Sequence, residues 1–120
     1  MVRLAAAALL PLALAVGPRG TWTGTWSNEA VGTAGPARLV AAKTLELRLS
    51  GPALGCARPT TLPVHLAKGR LRGHGRDVPC NHGLRWSLAA RRHGSTLAGT
   101  LRLRLADGSR AVLALALRRR

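Results

Sequence analysis

Thr96-Leu97-Ala98-Gly99-Thr100-Leu101-Arg102-Leu103-Arg104-Leu105-Ala106-Asp107-Gly108-Ser109-Arg110-Ala111-Val112-Leu113-Ala114-Leu115-Ala116-Leu117 decides how the chain folds. Leu101, Leu103 and Leu105 alternate with Arg102 and Arg104, which is the period of a strand with one wet face. Ala111 to Leu117 is apolar on both faces, and its alanines and leucines are helix formers. The alternation before it and the Asp107-Gly108 turn outrank that weak preference, so the stretch is predicted to be a hairpin. A three-residue loop, Ala106 to Gly108 with Gly108 left-handed, sets Leu101 opposite Leu113 and Leu97 opposite Leu117. A two-residue loop sets Arg102 opposite Leu113. Pairing of like faces favours the first.

The same period recurs upstream. Leu45, Leu47 and Leu49 alternate with Glu46 and Arg48, Leu62, Val64 and Leu66 with Pro63 and His65, and Leu84, Trp86, Leu88 and Ala90 follow suit. Turn signals separate the runs: Gly51-Pro52, Gly55, Arg58-Pro59, Gly69, Gly73 to Gly75, Asn81 to Gly83 and Gly94-Ser95. Short strands at this spacing predict an all-β antiparallel meander, closed into a small barrel or folded as a sandwich. No second domain, long linker or internal repeat is visible.

Ahead of the strands, Leu4 to Val16 is an Ala/Leu run with Arg3 before it and Gly17-Pro18-Arg19 after it. This is the grammar of a signal peptide over residues 1–15, with Ala13 and Ala15 as the small residues of the cleavage site. The run is shorter than the roughly 20 residues of a spanning helix, so a membrane anchor is the lesser reading. The expectation is a secreted or periplasmic protein whose single domain covers 16–120, with no transmembrane segment in the mature chain. In such a chain the two cysteines, Cys56 and Cys80, read as a disulfide, worth about 3 to 4 kcal/mol by loop entropy.

The formal charge is +15, from 19 Lys and Arg against 4 Asp and Glu. That field favours anionic partners: lipid head groups, nucleic acid, acidic polysaccharide or an acidic protein. Biased composition in a chain rich in Ala, Arg, Gly, Leu and Pro is the competing explanation. Arg102, Arg104 and Arg110 gather on the last hairpin and form the candidate basic surface.

Catalytic material is scarce. Four acids, no two close in sequence, leave little for paired-carboxylate chemistry, and no serine lies in a nucleophile elbow. Gly73-His74-Gly75 lacks the context of a phosphate loop, and no motif requires a cofactor. Cys80 and His82 lack metal-ligand spacing, and a disulfide-bonded Cys80 cannot be a thiolate ligand. The chain reads as a non-enzyme.

Three tryptophans are the only aromatics. Trp22 and Trp26, four apart in one strand, share a face. They read either as a core built around the bulkiest side chains available or, with Trp86, as the wall of a ligand pocket inside a barrel.

Thr23-Gly24-Thr25-Trp26-Ser27-Asn28 resembles the opening strand of the avidin and streptavidin family. Gly83 to Leu88 is similar to that family's central tryptophan-bearing strand, and Ser95 to Thr100 to its Ser/Thr-x-x-Gly strand. The resemblance implies an up-and-down barrel of about eight strands and a small ligand inside it. It casts Asn28 and Thr33 as hydrogen-bond partners of a ureido ring, Ser95 and Thr96 as neighbours of the ligand's sulfur and tail, and Trp86 as an apolar wall. The family's tyrosine has no counterpart here, Leu97 and Leu113 or Leu115 stand where tryptophans would stack, and its ureido-binding aspartate is missing. The expected function is therefore a non-catalytic barrel binding protein, avidin-like toward a small ligand. The alternative is an envelope or secreted interaction protein, an inhibitor or polyanion-binding module, that uses its arginine surface toward an anionic or protein partner.

Overall fold

In the computed structural model the last hairpin has the first of the two registers: Leu97 pairs with Leu117, Leu101 with Leu113 and Arg104 with Arg110. The Leu105 N–H donates to the Ser109 carbonyl at 2.8 Å, closing a loop of Ala106, Asp107 and Gly108. Gly108 carries the positive φ of 89° that this loop demands of its last residue. The structure describes residues 21–119; the expected signal peptide over 1–15 lies outside the described residues.

Eight strands follow one another: β1 (Trp22–Asn28), β2 (Thr33–Ala41), β3 (Leu45–Leu49), β4 (Thr60–Ala67), β5 (Arg70–Val78), β6 (Asn81–His93), β7 (Thr96–Arg104) and β8 (Arg110–Arg119). Each pairs antiparallel with the next, and β8 returns to β1, so the sheet closes into a barrel and no sandwich forms. Closure satisfies every edge, which a sheet of this length would otherwise have to protect.

The seams are unequal. β8 and β1 share six residue pairs, Trp22 with Arg119 through Ser27 with Ala114. β4 and β5 share three, from His65 with Arg72 to Ala67 with Arg70. Below those pairs, a Cβ on Gly73 would meet the Pro63 carbonyl at 2.8 Å. Proline donates no ladder hydrogen bond, and the Pro63 pairing recorded is with Glu46 of β3. The Cys56–Cys80 disulfide, with Cα atoms 5.6 Å apart, joins the β3–β4 loop to the β5–β6 turn across this short ladder. That separation is ordinary for a disulfide, and the pairing suits an oxidising compartment.

Inside, the buried leucines of β2 to β8 meet around the three tryptophans, with Trp22, Trp26, Leu47, Leu49, Leu71, Leu84, Leu97 and Leu101 no more than 1% exposed. Two glycines make room for the rings: a Cβ on Gly35 would stand 2.8 Å from Trp26 Nε1, and one on Gly75 2.8 Å from Trp86 Nε1. Trp26 Nε1–H donates to the Ser50 carbonyl at 2.6 Å, which satisfies its polar end. At the end where β1 begins, the Arg92 and Arg119 guanidinium groups lie 5.5 and 5.9 Å from the centre of the Trp22 ring. This is cation–π range. At the opposite end the β3–β4 loop folds inward, burying Ala53 and Leu54 beside Cys56. Asn81 Nδ2 holds that loop by donating to the Leu54 carbonyl at 3.1 Å.

Candidate functional site

The residues implied by the avidin resemblance fall into two separate pairs. Asn28 ends β1 and Thr33, its register partner, begins β2, both at the disulfide end. The Asn28 side chain is engaged locally, its Oδ1 accepting from the Ala30 N–H at 3.2 Å across the turn. Ser95, in the β6–β7 turn, and Thr96, which opens β7, lie at the other end, where the Ser95 carbonyl accepts from the Arg119 N–H. Thr96 Oγ1 donates to the His93 carbonyl at 2.8 Å. Trp86 is inside, 4% exposed, in register with Gly75 and Leu103. Between the two pairs stand Leu47, Leu62, Leu101, Leu113 and Leu115, all buried.

The basic residues expected on the last hairpin are brought together, and the barrel adds to them. Register carries Arg76 of β5 beside Arg85 of β6, Arg85 beside Arg104 of β7, and Arg104 beside Arg110 of β8. Four arginines thus form one continuous row across four strands, all exposed. With strands about 4.8 Å apart, the row spans about 14 Å. Arg102 lies one step up β7, beside Ser87 and Val112. Arg85, Ser87, Arg102, Arg104, Arg110 and Val112 line a shallow outer depression of about 300 Å³.

Arg76 and Arg85 belong to the site but were not singled out from the sequence. Trp86 inward forces Arg85 outward by the period of two. Arg76 needed the β5–β6 register, which a bulge between Arg76 and Val78 displaces. In that bulge Asp77 takes a φ of 58°, and its Oδ1 accepts from the Gly83 N–H at 2.5 Å.

Nearby carboxylates do not neutralise the row. Asp77 is committed to the turn just described. Asp107 Oδ1 accepts from the Ser109 hydroxyl at 2.6 Å and the Ser109 N–H at 2.8 Å. Those bonds, the hydroxyl first, hold the Asp107 carboxyl below its ordinary pKa. Among the described residues the one ion pair is Arg48 with Glu46, 3.4 Å, both on β3.

The rest of the outer surface is divided. β5 to β8 also direct Arg70, Arg72, Arg91 and Arg118 outward, whereas β1 to β4 carry only Arg38, Arg48 and Glu46 as formally charged residues. No group of three or more His, Cys, Asp or Glu among the described residues is placed to hold a metal ion. No helix among them is long and apolar enough to cross a membrane. Compared with family models, curated proteins and solved structures, the chain finds no match.

Proposed function

We propose that this is a non-catalytic binding protein whose working surface is the outward face of β5–β8 and whose partner is polyanionic. The unbroken row Arg76–Arg85–Arg104–Arg110 carries the proposal. Like charges directly opposite across strands each oppose folding by roughly 0.2–1 kcal/mol. An anionic partner removes that repulsion, and planar guanidinium groups hold phosphate, sulfate or carboxylate oxygens two at a time. The interior offers less support for a second site, since the residue pairs at its two ends are separated by packed leucines.

The test is binding of the oxidised protein to a labelled sulfated polysaccharide and to a labelled duplex over a range of salt. The expected result is affinity that falls steeply as salt rises, with the slope reduced when Arg85, Arg104 and Arg110 are changed together to Gln. Weak, salt-insensitive binding, or a triple variant with an unchanged slope, overturns the proposal. A thermal midpoint raised by excess biotin would instead place the working surface inside the barrel, on Asn28, Thr33, Trp86, Ser95 and Thr96.

A further inference from the structure

The outward row of β8 is not charged along its whole length. Arg110 and Arg118 bracket Val112, Ala114 and Ala116, all exposed. Val112 is 51% exposed, one of two large hydrophobic side chains so displayed among the described residues. In register on β7 the row meets Arg102 beside Val112, Thr100 beside Ala114 and Ala98 beside Ala116. Arg110 and Arg118 are eight residues apart, about 27 Å along a strand. A shallow apolar band therefore runs along β8 and the facing part of β7, at the β1 side of the arginine face, with guanidinium groups at both ends.

A linear polyanion makes poor use of this surface. It can follow the four-arginine row alone, which leaves the exposed Arg70, Arg72, Arg91, Arg102 and Arg118 outside that line, and it has no apolar counterpart for Val112. Sequence-tolerant binding of single-stranded nucleic acid relies on exposed aromatic rings. Every aromatic of this chain is a tryptophan, and all three are buried. An anionic bilayer supplies both halves of the match. Its phosphates form a two-dimensional sheet of acceptors, and just beneath them lies the boundary where small apolar side chains are accommodated.

We propose that the polyanion recognised by β5–β8 is an anionic lipid surface, on which the barrel lies on its side with Val112 of β8 within the contact. This inference rests on the anion-binding reading of the same face. The arginines at either end of the apolar band take the lipid phosphates, and the opposite wall, β2 to β4, faces water.

Two tryptophan reporters test it in the oxidised protein. Val112→Trp lies in the contact and Thr61→Trp lies on the exposed outer face of β4. The native tryptophans are 0%, 1% and 4% exposed, so an added surface indole dominates any solvent-dependent change. Both variants should keep the parent circular dichroism and thermal midpoint. The probes are phosphatidylcholine vesicles, with and without roughly one third phosphatidylglycerol, some carrying brominated acyl chains.

The expected result is binding at least about tenfold tighter to the phosphatidylglycerol vesicles, lost on changing Arg85, Arg104 and Arg110 to Gln. Val112→Trp emission should move to shorter wavelength and be quenched by brominated lipid, while Thr61→Trp stays unchanged. Equal responses from both reporters would overturn the orientation. Arginine-dependent binding to sulfated polysaccharide or duplex, with no binding to vesicles, would overturn the lipid inference and leave the anion-binding reading standing. Binding to none of the probes would remove both.

Discussion

The two halves of the barrel, β1–β4 and β5–β8, solve the same interior problem and differ on the outside. Each sends alternate apolar side chains inward, and each supplies tryptophan, Trp22 and Trp26 from the first and Trp86 from the second. Outward, the first half mixes Thr, Ser, Pro and Ala with Arg38, Arg48 and Glu46, while the second repeats arginine on every strand. The first half shows that this barrel closes with a nearly neutral exterior, so the arginines of the second are not a requirement of the fold. Biased composition alone would spread them over both halves of one chain. Their concentration on four neighbouring strands, where they repel one another, is the contrast on which the proposed anion-binding role rests.

The largest expected effect falls at the short β4–β5 ladder where the halves meet. Removing the disulfide by changing both cysteines to Ala releases a loop with a sequence separation of 24. Loop entropy puts the loss at about 3.5 kcal/mol, read as a lower urea midpoint. Amide exchange should rise first in Thr60–Val64, where β4 lacks register pairs to β5, and least along the longer β8–β1 ladder. Uniform acceleration around the barrel would mean that the seams do not differ in stability. Next in size is the binding contrast. Changing Arg85, Arg104 and Arg110 to Gln should weaken low-salt binding to anionic vesicles or sulfated polysaccharide roughly 100-fold, from about 1 kcal/mol per basic residue near an anionic surface. Changing Arg38 and Arg48 to Gln should alter it less than about twofold, because Arg48 is already paired with Glu46. Equal losses would erase the distinction between the halves.

Much of the fold was legible because the strand period is strict and leucine reports it cleanly. The Leu45–Leu49 and Leu62–Leu66 alternations, the shared face of Trp22 and Trp26, and the register of the last hairpin all follow from residue spacing. Closure was not legible from the residues themselves, since a meander of short strands suits barrel and sandwich alike; the avidin resemblance favoured a barrel, and the β8–β1 ladder is what separates them. At the candidate site, Arg102, Arg104 and Arg110 were visible because one hairpin holds them. Arg85 joins the row across the β6–β7 ladder, and Arg76 only through the bulged β5–β6 ladder, a pairing that no period encodes. The Asn28–Thr33 and Ser95–Thr96 pairs are adjacent for local reasons, being strand ends and turns, so their placement at opposite ends emerges only when the strands are traced.

Repulsion within the row gives a smaller effect of opposite sign to function. Arg104 has an arginine directly across on both sides. Arg104→Glu turns two repulsive pairs into two attractive ones, each pair counting for roughly 0.2–1 kcal/mol. The thermal midpoint should rise by a few degrees at low salt, with the gain fading as salt screens it, while anion binding falls. Thr25→Glu on β1, set between Pro36 and Ala116, should shift stability by no more than about 0.5 kcal/mol in either direction. A lower midpoint for Arg104→Glu would show that the row is not electrostatically strained. A variant that is more stable yet binds less also separates binding from misfolding.

The smallest effect sits in the turn that joins two members of the row. Asp107 lies between Arg104 and Arg110, but its carboxylate is turned to the Ser109 hydroxyl and N–H, which lower its pKa. A carboxyl with a folded pKa below its unfolded value of about 3.9 adds stability above that value and loses it as pH falls through the folded one. The wild-type thermal midpoint should therefore drop more steeply below about pH 4 than that of Asp107→Asn, with the two profiles parallel above it. Ser109→Ala removes the larger of the two causes and keeps the backbone donor, so the Asp107 titration followed by NMR should move back toward the ordinary value without reaching it. Arginine does not titrate in this range, so vesicle binding should stay flat from about pH 5 to 8 while the hairpin responds only in acid. Binding that changed with pH in that window would mean that the arginine row does not hold the anion alone.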